Sequence, residues 1–390
     1  MLIAGEPSGD LLAAELVSAL RGQFYALDPH SPPQFFGAGG SKMAEAEVEL
    51  AFDMMEHAVI GFTDVLKNYF MFRRLFKQLL ALAIERKPDA IIGVDYGGFN
   101  LRFGHAVKEY VRNNPFSRWN PKIVQFVSPQ VWASRPNRAE LLAADYDLLL
   151  SIFPFEKDWY ARRVPKLRVE FAGHPMVGRF ANDVLRLAHR EPETTPIANR
   201  PSHILLLPGS REGELEKHLP IMLGALKLIQ VNQQNVHVKM VLPNQMLKDL
   251  AAKLSAPQPG VEIQIGKLPD ALAQADVAIA STGTVTMECA LFGVPTVTLY
   301  KTSWFTWEIA KRIVTVNSAT MPNLLAGKEV YPEFIQGDAT AKNIAQATLD
   351  LLWDDSRRGK IKLQLAKVVS SLGEPGANRR AAAAVLSLFQ

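Results

Sequence analysis

Short continuous apolar runs alternate along this chain with longer segments whose apolar residues recur at helical spacing. In the first half, residues 2–4, 90–94, 122–127 and 148–153 read as buried strands, and Pro88-Asp89 marks the start of the second. Residues 11–20 form an amphipathic helical run after a glycine-containing turn. Continuous apolar strands separated by helices indicate a parallel sheet covered on both faces. Between 191 and 202 the chain turns polar and proline-rich (Glu-Pro-Glu-Thr-Thr-Pro-Ile-Ala-Asn-Arg-Pro-Ser), which predicts an interdomain linker. The pattern then restarts with strands at 204–207, 236–241, 277–280 and 296–300 and a helix at 221–230. From residue 339 onward the spacing is helical, ending in the alanine-rich run 380–389. The expected fold is α/β, with two Rossmann-like doubly wound domains facing a cleft. Residues 1–190 make the first and 200–345 the second. Helices over 346–390 follow, expected to cross back to the first domain or to exchange between the protomers of a homodimer.

Length supports that division, since 390 residues exceed one ordinary core and fit two domains of roughly 150–200 residues. The net charge of +4 is spread along the chain. No nucleic-acid partner is expected from it, while anionic substrates or an anionic membrane surface are compatible. Cys289 is the single cysteine, so no internal disulfide framework is possible and a reducing compartment follows. The first residues carry no basic leader, and no apolar run approaches the ~20 residues of a membrane span. A cytoplasmic protein with at most peripheral membrane contact is therefore expected.

Candidate chemistry clusters where strands end. Gly5-Glu6-Pro7-Ser8-Gly9-Asp10 lies between a strand and a helix, at the edge where open α/β sheets bind ligands. It is neither a dinucleotide fingerprint, lacking the third glycine, nor a P-loop, lacking Gly-Lys-Ser/Thr. An ordinary turn capped by Ser8 fits it as well as a ligand site does. Asp95 follows the strand 90–94 directly, as a general base on a sugar hydroxyl would, or as a loop cap would. In the second half, Leu207-Pro208-Gly209-Ser210-Arg211 offers close backbone approach, a hydroxyl and a guanidinium fork suited to a diphosphate. Ser281-Thr282-Gly283-Thr284 enters the helix that contains residues 287–292, whose leading amides make an anion site. Two such loops in one domain suggest a nucleotide diphosphate. Asp145-Tyr146-Asp147 resembles an Asp-x-Asp metal motif but opens a strand, so it reads as structural.

Residues 59–83 interleave Phe62, Tyr69, Phe70, Phe72 and Phe76 with Lys67, Arg73, Arg74 and Lys77. A helix buried on two sides accounts for this pattern, and so does an acyl-chain or membrane contact with basic groups for lipid phosphates. Trp304, Phe305 and Trp307 with Lys311 and Arg312 repeat the chemistry in the second half.

Taken in order, these segments resemble the lipid-A-disaccharide synthase family. The resemblance runs through Ala4-Gly5-Glu6-Pro7-Ser8-Gly9-Asp10, Val59-Ile60-Gly61, Gly93-Val94-Asp95-Tyr96-Gly97-Gly98-Phe99-Asn100 and Val127-Ser128-Pro129-Gln130-Val131-Trp132-Ala133. Phe153-Pro154-Phe155-Glu156 and Gly173-His174-Pro175 continue it, and then the Leu207–Arg211 and Ser281–Thr284 loops. Pro322-Asn323-Leu324-Leu325-Ala326-Gly327, Glu333 and Gln336 complete it.

The resemblance implies the glycosyltransferase-B fold and an inverting transfer in lipid A biosynthesis. The donor would be UDP-2,3-diacylglucosamine and the acceptor the 6-hydroxyl of 2,3-diacylglucosamine 1-phosphate. It implies no cofactor and no metal, and peripheral association with the inner membrane of a Gram-negative bacterium. By the same resemblance Asp95 is the general base and Arg211 serves the donor diphosphate. Ser210, Ser281, Gly283, Thr284, Asn323, Glu333 and Gln336 would line the UDP side. Ser8, Gly9 and Asp10 would face the acceptor or the reacting sugar, and the aromatic–basic segments would meet lipid.

This chain departs from the family at Gly97, where a proline is usual, and at Ser134, where a second tryptophan is usual. Gly98 stands where many members carry a second carboxylate. Only three residues remain for the first strand, so the start of the chain is open. Two other functions stand beside the synthase. A UDP-N-acetylglucosamine-using transferase or epimerase of this fold would need no lipid-facing helix. A non-catalytic paralogue binding nucleotide-sugar or lipid would need no Asp95 and Arg211 pair.

Overall fold

The computed structural model describes residues 1–27, 30, 32–54, 65–188, 200–255 and 260–390, with side chains except at 65–70, 187–188, 305, 309 and 310. Most of the expected linker lies outside the described residues. The chain divides into two compact units, Met1–Gly178 with Leu372–Gln390, and Arg179–Ser371.

Among the described residues, the first unit holds β1 (Leu2–Ala4), β2 (Phe36–Gly39), β3 (Glu49–Asp53), β4 (Ala90–Val94), β5 (Lys122–Phe126), β6 (Leu148–Ser151) and β7 (Val169–Phe171). They form one parallel sheet in the order β3-β2-β1-β4-β5-β6-β7. The second unit holds β8 (Ser202–Leu207), β9 (Val236–Leu242), β10 (Val261–Ile265), β11 (Val277–Ser281), β12 (Thr296–Tyr300) and β13 (Glu333–Ile335). Its parallel order is β10-β9-β8-β11-β12-β13. Each order reverses once, between β1 and β4 and between β8 and β11. Helices on either side of the reversal run down opposite faces, which opens a crevice at the strands' carboxyl ends.

Apolar strands build both cores. In the first unit β1, β4, β5 and β6 are buried almost throughout, and the helices Val65–Arg86 and Gly97–Asn113 cover them with Leu75, Leu79, Ala83, Phe103 and Val107. In the second, Leu215, Leu219, Met222, Leu226 and Ile229 of the helix Glu212–Asn232 close on β8 and β11 and on the helix Ala341–Trp353. The last helix, Ala377–Leu386, belongs to the first unit. There Gln23 Nε2 donates to the Arg379 carbonyl at 2.6 Å and Asn378 Nδ2 to Glu15 at 3.0 Å.

Two helices begin earlier than their apolar periodicity predicts. The first runs Pro7–Leu27, because Pro7 suits a first helical position and the Asp10 amide already donates to the Glu6 carbonyl at 2.9 Å. Ser8 is therefore not its cap, and stands exposed in the first turn. The other runs Glu212–Asn232 and contains Pro220, which stands on its exposed side. The last strand expected in the first half, 148–153, stops at Ser151, since Phe153 becomes the cap of the helix Pro154–Arg163.

That cap leads to a buried carboxyl group. Glu156 is fully buried, accepting from Trp132 Nε1–H at 3.0 Å and from the Phe153 amide at 3.2 Å. Ser128 and Tyr160 hydroxyls meet beside it at 3.0 Å. Burial pushes the Glu156 carboxyl up to about 7, against the pull of those hydrogen bonds. The fold thus favours the protonated form. This contribution is whole below the unfolded value of about 4.3 and is lost as pH rises through about 7. Urea unfolding from about pH 5.5 to about pH 8.5 is expected to show stability falling about 2 kcal/mol further in the wild type than in Glu156→Gln. Parallel pH profiles would rule out an ionisation at Glu156 in this range.

Candidate functional site

The reversal in the first sheet brings two of the flagged segments together. At the end of β4, Asp95 and Tyr96 are consecutive non-glycine residues with left-handed backbone, φ 50° and 45°. Such residues cost roughly 1 kcal/mol or more each unless their surroundings hold them. Here the Asp95 amide donates to the Phe126 carbonyl at 2.9 Å. Its own carbonyl accepts Asn100 Nδ2 at 2.9 Å and Gln125 Nε2 at 2.8 Å. Gly93 makes room for both amides, since a Cβ there would stand 2.8 Å from Asn100 Cγ and Gln125 Oε1. Gly5 lies flat under the Tyr96 ring, and Gly9 is so close that a Cβ on it would be 3.4 Å from Asp95 Cβ. Asp95 itself is half-buried.

Asp10 is turned inward. It is 3% exposed, and its carboxylate accepts the amides of Gly40 at 2.8 Å, Lys42 at 2.9 Å and Met43 at 3.1 Å. It therefore ties the turn carrying Ser8 and Gly9 to the start of the helix Ser41–Glu45. Of this turn, Ser8 is the exposed hydroxyl and Gly9 the residue against Asp95.

The reversal in the second sheet places the Pro208–Arg211 loop after β8 and the Thr282–Thr284 loop after the neighbouring β11. Arg211 is exposed at the cap of the helix Glu212–Asn232, and Ser210 is exposed beside it. Gly209 has φ 130°, and the Ser210 amide donates to Glu214 at 3.0 Å. Across the reversal Ser281 is buried at the end of β11. Gly283, with φ 151° and open space around it, caps the helix Thr284–Leu291 without a side chain to cover the leading amides. Thr284 is exposed there.

Asn323 and Glu333 work as a pair within this unit. Asn323 accepts the Val330 and Tyr331 amides at 2.8 Å each, and donates to the Tyr331 carbonyl and to Glu333 at 2.8 Å each. Glu333 also accepts the amides of Ala319 and Thr320, at 2.8 and 2.9 Å, and the Thr320 hydroxyl at 2.6 Å. Gln336 differs. Its backbone is left-handed, φ 53°, and its buried Nε2 has no hydrogen-bond partner among the described residues.

The description that matches the chain from residue 1 to residue 388 is that of lipid-A-disaccharide synthetase. The chain belongs to this family. The lipid-A-disaccharide synthase of Geobacter sulfurreducens is 34% identical over 394 residues, covering 100% of this chain and 97% of its own. Lipid-A-disaccharide synthase 1 of Legionella pneumophila is 32% identical over 380 residues, with 97% and 94% covered. Among solved structures, the glycotransferase of kitacinnamycin aligns with a TM-score of 0.62 at 17% identity, over 100% of this chain and 98% of its own. The UDP-GlcNAc 2-epimerase of Neisseria meningitidis, bound to UDP-GlcNAc, aligns with a TM-score of 0.52 at 12% identity, over 100% and 99%. At these identities the likeness is one of fold, and the fold is glycosyltransferase-B.

The aromatic–basic stripe divides by direction. Phe72 and Phe76 are half-buried and pack on the core, with Phe76 edge-on to Phe99 at 5.4 Å and to Phe103 at 5.5 Å. Arg73, Arg74 and Lys77 are exposed. Phe62, and the side chains of Tyr69 and Phe70, lie outside the described residues. In the second unit Trp304 is 76% exposed, while Trp307 is half-buried under Lys311 Nζ at 5.6 Å from its centroid. No helix among the described residues is long and apolar enough to cross a membrane. Asp145 pairs with His105 and Arg112, and Asp147 with Lys108 and the Ile123 amide, so the Asp-x-Asp sequence is spent inside its unit.

One residue beside the Arg211 loop escaped sequence reasoning. His218, fully buried, sits 3.0 Å from the Pro208 carbonyl through Nδ1 and accepts the Lys301 amide through Nε2 at 3.0 Å. Those partners fix a neutral imidazole with its proton on Nδ1, clamping the Arg211 loop to the end of β12. Its spacing, seven residues after Arg211 on the apolar face of a helix, was the available signal. Burial holds its pKa below the usual value. Its contribution is therefore present above about 6.5 and lost as pH falls through the lower folded value. His218→Ala is expected to cost about 2–4 kcal/mol in urea unfolding at neutral pH, with a weaker loss of stability on acidification than the wild type. A cost under about 0.5 kcal/mol would mean the clamp holds nothing.

Proposed function

We infer that this chain is an inverting glycosyltransferase of lipid A biosynthesis. It transfers 2,3-diacylglucosamine from UDP-2,3-diacylglucosamine to the 6-hydroxyl of 2,3-diacylglucosamine 1-phosphate and releases UDP. The observation that carries this reading is the match of residues 1–388 to one family. A UDP-N-acetylglucosamine epimerase shares only the fold, at 12% identity.

In the proposed mechanism the acceptor O6 attacks the donor anomeric carbon while its proton passes to the Asp95 carboxylate. The bond from that carbon to the diphosphate oxygen breaks, and its electron pair leaves with UDP. A single displacement converts the α linkage to β. The left-handed turn supports this role for Asp95, because three hydrogen bonds fix its backbone beside Gly9. The charge growing on UDP would be met by Arg211 and the leading amides of the helix Thr284–Leu291, with Ser210, Ser281 and Thr284 beside them. Asn323 and Glu333 would act by shaping the loop at 319–323, and Gln336 would offer its unpaired Nε2 to the nucleotide. Asp10 would hold Ser8 and Gly9 toward the reacting sugar. Peripheral contact with the inner membrane is supported by exposed Trp304 and by exposed Arg73, Arg74 and Lys77.

Mass-detected disaccharide formation from the two acylated substrates, with EDTA present, tests the reading. Product formed with acylated but not unacylated donor is expected; bound UDP without product would leave a non-catalytic paralogue. Asp95→Ala is expected to lower kcat by about 10²–10⁴-fold while UDP binding persists. Near wild-type turnover would remove Asp95 as the base. Arg211→Ala is expected to weaken UDP binding by about 10–100-fold and to lower kcat as well. An unchanged Kd for UDP would remove Arg211 from the diphosphate site.

A further inference from the structure

Three arginines of the first unit stand together without an acid. Arg102 lies in the second turn of the helix Gly97–Asn113, which packs against the helix Arg138–Asp145. The Arg138 amide donates to the Arg135 carbonyl at 3.0 Å, so these two residues are the ends of one tight turn. Arg102 and Arg135 are exposed and Arg138 is half-buried. Burial, then the charges of Arg135 and Arg102, hold the Arg138 guanidinium below its usual value, with no carboxylate acting on it. Among the described residues none of the three makes an ion pair. Other arginines of the chain do pair with acids, as Arg21 with Glu47 and Arg112 with Asp145 at 2.6 Å and Arg200 with Asp276 at 2.5 Å.

The segments that carry the cluster start near Asp95. Arg135 directly follows the short helix Val131–Ser134, which grows from Pro129. Gly97 closes on Pro129 so tightly that a Cβ there would be 2.6 Å away. Arg102 is about 7.5 Å of helix rise beyond Gly97. All three guanidiniums thus rise from segments that begin at the carboxyl ends of β4 and β5, where Asp95 sits.

We propose that Arg102, Arg135 and Arg138 form the site for the acceptor's phosphomonoester, and so let the enzyme tell acceptor from donor; this rests on the transferase reading above. Acceptor and donor carry the same acylated glucosamine, and what separates them is the group on C1. In the acceptor that group is a terminal phosphate with up to two negative charges. C1 and C5 flank the ring oxygen, so a sugar with its 6-hydroxyl at Asp95 presents its phosphate along the same ring edge. Guanidinium forks match phosphate oxygens bidentately. Three unpaired cations repel one another, and a dianion turns that repulsion into attraction. The UDP-linked sugar carries on C1 only a singly charged phosphate already esterified to the nucleotide, and gains less there.

The test uses the full chain in neutral detergent micelles, comparing wild type, Arg138→Lys, and the double variant Arg135→Ala/Arg138→Ala. Acceptors with a 1-phosphate and with a free 1-hydroxyl are compared at saturating donor. The wild type is expected to prefer the phosphorylated acceptor at least about 100-fold in kcat/KM. The double variant should lose most of that preference through a raised acceptor KM, with donor KM and UDP Kd within about two-fold. Arg138→Lys, which keeps charge but not the fork, should fall between. Retained discrimination in the double variant would overturn the proposal. A second arm titrates glucosamine 1-phosphate and glucosamine by calorimetry, which needs no turnover. If no disaccharide forms but the wild type alone binds the sugar phosphate, the transferase reading fails and the anion site stands. Equal binding by both proteins overturns the site. A double variant impaired only in sedimenting with phosphatidylglycerol vesicles would assign the arginines to lipid headgroups instead, and would also overturn it.

Discussion

The first unit turns on a strained pair of residues. Asp95 and Tyr96 both adopt a left-handed backbone that non-glycine residues rarely take up, and two such residues stand in succession. Two buried side-chain amides, from Asn100 and Gln125, converge on the Asp95 carbonyl, and the strand neighbour Phe126 takes its N–H. Those amides fit only because residue 93 has no side chain, and the Tyr96 ring fits only because residue 5 has none. The glycines therefore matter less for their own flexibility than for the volume they leave to polar groups next door. A carboxylate mounted on such a turn keeps its place when a ligand arrives, because the cost of moving it is spread over several buried hydrogen bonds.

The second unit applies the same economy to its loops. Glu333 and Asn323 satisfy amides of 319–320 and 330–331 and each other, which leaves little of either side chain for a nucleotide. His218 joins the Pro208 carbonyl to the Lys301 amide from inside the core. Asp10 plays the corresponding part in the first unit. Residue types that suggest ligand contact in a sequence thus turn out to serve the backbone. Arg211 is exposed at its helix start, and Gln336 keeps a buried donor without a partner among the described residues. A donor left unpaired in a protein interior is costly, and a nucleotide acceptor would remove that cost.

The sheet centres were legible in the sequence because burial on both faces forces continuous apolar runs. Ala90–Val94 and Thr296–Tyr300 fall at their expected ends, and the loops after β1, β4, β8 and β11 fall at the two reversals. The edges were not legible. β2 reads Phe-Gly-Ala-Gly, whose glycines lower strand propensity, yet Gly37 is needed where the chain passes against the Leu2 backbone. β10 alternates Val-Glu-Ile-Gln-Ile along an outer edge, with no buried run to mark it. Orientation was hidden as well. Periodicity placed Phe72, Phe76, Arg73 and Lys77 on one helix, but only tertiary packing shows the rings turned to the core and the cations to solvent. The same holds for Asp10, whose partners lie 30 residues or more away.

The departure at Gly97 has a physical counterpart on the neighbouring loop. A Cβ at 97 would stand 2.6 Å from Pro129 Cβ, so in this chain the start of the helix Gly97–Asn113 and the loop after β5 are packed as one piece. A larger residue at 97 requires that loop to stand further off. Gly98 is under no such constraint, since nothing lies within 4 Å of a Cβ placed there, and a carboxylate at 98 would enter open space. The two glycines are therefore unlike. Gly97 is bound to the position of Pro129, and through it to Val131, Trp132 and the Arg135 turn, whereas Gly98 simply leaves the helix start uncovered. Restoring a proline at 97 alone would push on the loop that carries Arg135. Restoring an acid at 98 would leave the backbone alone and change only the charge facing the crevice.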